Sequence, residues 1–234
     1  MTRDNIMRKL LLNSALFMAV TTASFSGLAA ESASLSVTGT INPAACDVSL
    51  SSSSIALGYI AAASLKQALN TKTGNDVNLN VDCDAAAAIA VQTMDNRAST
   101  EMTVAEISDE LQTSLPGITD VSFFGLGADT ANNKIGVLLG ITAATKDGVA
   151  NSNLLRSTDK SSWTAKSGSP SSILSLAKNG YFALAADSSS TIPVAATKET
   201  YNIYSGIMLK QADRYPSGEA VELDGNVTLS VVYL

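Results

Sequence analysis

An all-β fold is what this sequence of 234 residues predicts, and three observations predict it. Short segments alternate apolar and polar residues with a period of two, the pattern of a strand with one buried face. Stretches rich in Gly, Pro and Ser separate them at short intervals, as turns do. Hydrophobic residues make up 46% of the chain and charged residues only 15%, so the chain can bury a core and does not have the composition of a disordered one. Many short strands between turns read as a sandwich.

Residues 1–30 are set aside as an export signal. Arg3, Arg8 and Lys9 make a positive start, 10–20 is a short apolar run, and "GLAA" (27–30) suits cleavage after Ala29 or Ala30. Met7 is an alternative start. Asn13 and the shortness of the run argue against a membrane anchor. "ASLSVTGTI" (33–41) then alternates, with Ala33, Leu35, Val37, Gly39 and Ile41 on one face and Ser34, Ser36, Thr38 and Thr40 on the other. "VNLNVDC" (77–83) does the same. "AIAVQT" (88–93), "VSFFGL" (121–126), "IGVLLGI" (135–141), "YFALAA" (181–186) and "YNIYSGIMLK" (201–210) read as further strands. The closing "NVTLSVVYL" (226–234) alternates again through Val227, Leu229, Val231 and Tyr233, and runs to the last residue. One segment reads as helix: in 103–117, Thr103 and Glu106 have capping-box spacing, apolar residues recur at helical intervals, and Pro116-Gly117 stops it. Strand signals are weakest between 95 and 180, where insertions into a single sandwich are expected.

Charge and chemistry exclude several functions. The whole chain carries 15 basic and 21 acidic residues; without 1–30 it carries 12 and 20. This acidity opposes nucleic-acid binding, which needs a basic stripe. There is no histidine, so the common general base and the Ser-His and Cys-His pairs are missing, and no enzyme is expected. Asp82 with Asp84, and Asp109 with Glu110, read as solvated surface. "GLG" (125–127) lacks the rest of a dinucleotide fingerprint, and "NVT" (226–228) is a common accidental match to a glycosylation site. Cys46 and Cys83 are the only cysteines, and in an exported chain such a pair reads as one disulfide. Free thiols and half of a metal site are the alternatives, and the missing histidine opposes zinc. No cofactor and no metal are expected.

These features have a family order. Gly39 lies seven residues before Cys46; "IALGYI" and "SLKQ" follow, then "VNLNVDC" with the second cysteine, and a final strand with tyrosine next to last. The chain resembles the pilins, the fimbrial subunits of the chaperone–usher pathway of Gram-negative bacteria. The match is anchored at 33–83 and 201–234, with "IGVLLGI" between them like a pilin core strand.

The resemblance implies an incomplete immunoglobulin-like β-sandwich that lacks its last strand, with a short helical insertion. It divides the chain into a signal peptide (1–30), a donor-strand extension (31–41) and a pilin domain (42–234). Ala33, Leu35, Val37, Gly39 and Ile41 would enter pockets of a neighbouring subunit. Val227, Leu229, Val231 and Tyr233 would form one wall of this chain's own acceptor groove, with the carboxylate of Leu234 anchored by a chaperone. The implied partners are neighbouring pilin subunits in a head-to-tail polymer, a periplasmic chaperone, an outer-membrane usher and a host or surface receptor. The implied location is the cell surface, reached through the periplasm. A minor tip adhesin or a secreted lectin-like module is the alternative, suggested by the long middle and the lone Trp163.

Overall fold

A strand of 19 residues, Val77–Asp95 (β3), organises the fold. It joins "VNLNVDC" and "AIAVQT", expected as two strands, into one. The computed structural model describes residues 34–41, 44–111, 122–167 and 173–234. The expected signal segment, Ala33 and most of the turn at 167–172 lie outside these residues. The chain divides into two units, residues 1–42 and 43–234.

In the first unit, residues 34–41 form no strand or helix. The described part of that alternation, 34–41, therefore makes no strand within this chain. Leu35, Val37 and Ile41 are 90%, 89% and 98% exposed.

Among its described residues the second unit is all-β apart from α1 (Val104–Leu111) and short 3-10 turns. Its other strands are β1 (Cys46–Leu50), β2 (Leu69–Thr73), β4 (Phe123–Ala128), β5 (Lys134–Lys146), β6 (Val149–Ala150), β7 (Asn153–Ser157), β8 (Thr164–Ser167), β9 (Leu174–Ser175), β10 (Tyr181–Leu184), β11 (Ala195–Lys210) and β12 (Val227–Tyr233). They form one curled sheet in the order β4-β5-β11-β3-β10-β7-β8. β1 and β12 both pair with β3, and β2 continues beside β11. All the pairings are antiparallel.

The curl follows from β3. Its odd residues Val77, Leu79, Val81, Ile89, Val91 and Thr93 are all buried, so one face of the strand serves the core at both ends. Between its halves lie Ala85, Ala86, Ala87 and Ala88. Opposite this stretch β11 changes register between Ala196 and Lys198. Beyond this stretch the partner of β3 on that side is β10, at Val91 and Gln92, instead of β11. Phe182 of β10 then meets Tyr201 of β11 edge to face, with ring centres 5.0 Å apart, an arrangement aromatic rings favour.

Two smaller apolar clusters lie outside the main core. Met102, Ile107 and Phe123 bury the apolar side of α1. The helix begins with the expected capping box: the Glu106 carboxylate accepts from Thr103 N at 2.7 Å, and Thr103 Oγ1 accepts from Glu106 N at 3.2 Å. α1 is described as far as Leu111, and residues 112–121, with the Pro116-Gly117 stop expected there, lie outside the described part. The other cluster joins Leu155, Ala90, Ala183 and Ala185, with Trp163 and Tyr181 packed on it. The β7–β8 hairpin beneath Trp163 was not read from the sequence, whereas "IGVLLGI", expected as a core strand, is part of β5 between β4 and β11.

Candidate functional site

The free edges of the sheet decide where another chain can attach, because each unpaired edge presents main-chain donors and acceptors. The outer edge of β4 is occupied. Gly125 N donates to Asp95 Oδ2 at 2.9 Å, Gly127 N to Thr100 Oγ1 at 3.1 Å, and Asp224 N to the Leu126 carbonyl at 2.9 Å. A Cβ on Gly125 would sit 1.9 Å from the Arg97 carbonyl oxygen, so the chain around Arg97 packs directly onto this strand. The β8 edge carries exposed Thr164 and Lys166, a charged edge of the kind that discourages pairing.

β12 is different. Asn96 N donates to the Asn226 carbonyl and Leu234 N to the Ala88 carbonyl. With the register Val227↔Asp95 to Tyr233↔Ile89, the even residues direct their main-chain groups at β3. Val227, Leu229, Val231 and Tyr233 therefore direct theirs to the open side. These residues share a face with Thr93, Val91 and Ile89, so their side chains lie on the core side. Val227, Leu229 and Val231 are half-buried against the main core. Each thus combines an incompletely covered apolar side chain with main-chain groups that have no partner among the described residues.

β1 repeats the pattern. Asp84 N donates to the Ala45 carbonyl and Ser51 N to the Asn78 carbonyl. In the register Cys46↔Cys83 to Leu50↔Leu79, the even residues Cys46, Val48 and Leu50 face the open side with their main-chain groups. Their side chains share the face of buried Leu79 and Val81, yet Val48 and Leu50 are 41% and 44% exposed. Val48 and Leu50 were missed in the sequence, although "CDVSL" alternates as the longer strands do. The contacts of β1 and β12 are to even residues of β3, so both lie on the same edge of that strand, in line and in the same direction. The Cys46–Cys83 disulfide is formed and fixes the start of β1. Cys46 N donates to Tyr233 Oη at 2.8 Å, so the phenol spans the junction between the two strands.

The segment after β1 is also incomplete. Ile55, Leu57 and Ile60 are half-buried against the core but belong to no strand. Ile55 and Leu57 lie over Gly74, where a Cβ would stand 2.1 Å from Ile55 Cγ2.

The residues considered for chemistry fall elsewhere. Asp82 pairs with Lys198 at 2.8 Å, and Asp84 accepts from Ala45 N at 2.9 Å. Glu110 lies between Lys210 and Arg214, at 3.6 and 3.5 Å. Trp163 is half-buried and its Nε1 donates to the Lys160 carbonyl at 3.1 Å, which makes it a packing residue of the hairpin. No group of three or more His, Cys, Asp or Glu side chains among the described residues could hold a metal ion. No helix among them is long and apolar enough to cross a membrane.

Residues 35–139 match a family model described as a protein of unknown function, DUF1120. The matched stretch runs from the exposed segment through the disulfide into β5. The chain also resembles Protein GltF of Escherichia coli (strain K12). The two are 28% identical over 257 residues, which cover 97% of this chain and 99% of the relative. No solved structure matches the chain.

Proposed function

We propose that this chain is a structural subunit of a bacterial surface fimbria, polymerising by donor-strand complementation and supporting cell adhesion. The observation that carries the reading is the open edge of β12. Its residues Val227, Leu229 and Val231 are half-buried, and their main-chain groups face away from β3. The occupant is the 31–41 segment of a second copy. Within the described residues that segment alternates Leu35, Val37, Gly39 and Ile41 with polar residues, and forms no strand. An extended peptide added to such an edge gains affinity from main-chain hydrogen bonds and specificity from alternate side chains. On this reading the curled sheet is an immunoglobulin-like sandwich lacking its last strand, and 31–41 supplies it.

The remaining features follow from one donor and one acceptor per chain. A head-to-tail contact of this kind does not close, so it generates a filament. An open apolar edge promotes aggregation, which calls for a periplasmic chaperone before assembly and an outer-membrane usher to deliver the subunit. Leu234, 48% exposed, would present its carboxylate to the chaperone. The role is structural rather than catalytic, at the cell surface.

The test is deletion of residues 31–41. The shortened chain is expected to form its disulfide and bind its chaperone but to make no fibres in electron micrographs. Fibres of normal length and number would overturn the proposal.

A further inference from the structure

β1 and β12 lie end to end on one edge of β3, and among the described residues the main-chain groups on their shared open side have no strand partner. An added strand could in principle pair with either one or run across both. The junction between them faces Ala85, Ala86 and Ala87 of β3, which have no partner in either register. Tyr233 fills it. Its side chain projects on the core side at the end of β12, and its Oη accepts the Cys46 N–H at 2.8 Å. That N–H is the first open-side donor of β1. The disulfide and the bond from Ala45 N to Asp84 Oδ1 hold Cys46 in place, so the donor cannot swing away.

We propose that Tyr233 is a positioning residue that bounds the strand-accepting edge: its phenol takes the Cys46 N–H and confines an added strand to β12. The ligand is an extended peptide with apolar side chains at alternate positions, meeting Val227, Leu229 and Val231 and stopping at the tyrosine ring. β1 keeps Val48 and Leu50 open in the assembled state. The inference rests on the strand-addition reading and specifies the register of that contact.

The test is amide hydrogen exchange on the assembled full chain, wild type and Tyr233→Phe. In the wild type, the amides of Val227, Leu229 and Val231 are expected to exchange at least about tenfold more slowly than those of Val48 and Leu50. In Tyr233→Phe the Cys46 N–H is released, and protection is expected to extend to Cys46 and Val48. Equal protection of β1 and β12 in the wild type would overturn the inference while leaving strand addition standing. So would an unchanged pattern in an assembled Tyr233→Phe polymer. Protection of neither strand would overturn strand addition itself. The wild-type comparison decides the matter even if the variant does not assemble, and an intact Cys46–Cys83 bond in the variant verifies its fold.

Discussion

Glu199 is 2% exposed, on the core side of β11. Tyr201 Oη donates to its Oε2 at 2.5 Å, and its Oε1 has no partner. Burial is the main cause that raises its pKa to about 7; the negative Asp147 adds to the rise, while the Tyr201 bond and Lys146 oppose it. The unfolded chain ionises this group near 4.5, so the folded state holds the proton more tightly. Its contribution to stability is therefore highest below about pH 4.5, falls as the pH rises to about 7, and is level above that. The loss is on the order of 3 kcal/mol. Glu199→Gln stays neutral at every pH, so its denaturation midpoint should lose this slope and exceed the wild type at pH 8. Gly39 offers the opposite case. A Cβ there would meet nothing within 4 Å, so Gly39→Trp should leave the folded unit unchanged. If the residue enters a shallow pocket of a second copy, the same variant should slow fibre growth, as measured by light scattering.

At the scale of the element, β12 separates folding from assembly by the parity of its residues. The N–H of Ser230 points at β3 and that of Val231 at the open side. Proline removes a donor, and edge strands accept it only where the donor is not used by the sheet. Val231→Pro should keep the disulfide-bonded fold, with a near-native circular dichroism spectrum, yet fail to assemble. Ser230→Pro should break the ladder with Gln92 and destabilise the chain by about 1–3 kcal/mol, the cost of leaving a main-chain partner unsatisfied. Loss of assembly in neither variant would remove β12 from the contact. The elements also show where periodicity is legible. The Thr103–Glu106 box located α1 because capping is local chemistry. β2, β7 and β8 gave no clean alternation: "LNTKT" and "TAKS" are mostly polar, β2 is held by β11 far away in the chain, and β8 is held by its hairpin partner β7.

For the whole molecule, the disulfide is the strongest single constraint. Cys46 and Cys83 are 37 residues apart, and closing such a loop contributes about 4 kcal/mol in the chain-entropy treatment. Replacing both cysteines by alanine should lower the urea midpoint accordingly. It should also free β1, since β1 pairs with β3 alone. Loss of amide protection at Asp47 and Ser49 before the rest of the sheet melts would record that order. An unchanged midpoint would mean that the pairing of β1 needs no covalent support.

The sequence by itself determined the all-β class, most of the long strands, the capped helix and the cysteine pair. All of these depend on periodicity or on chemistry that residues carry with them. It also marked Val227, Leu229, Val231 and Tyr233 as one face of a final strand. Only the tertiary structure decided that β3 is continuous and that its alanine-rich centre lies where the sheet curls. Only the tertiary structure set β1 and β12 in line on one edge, with Tyr233 bridged to Cys46. Those relations are registers between distant segments, and alternation of period two specifies a face without naming the strand beside it.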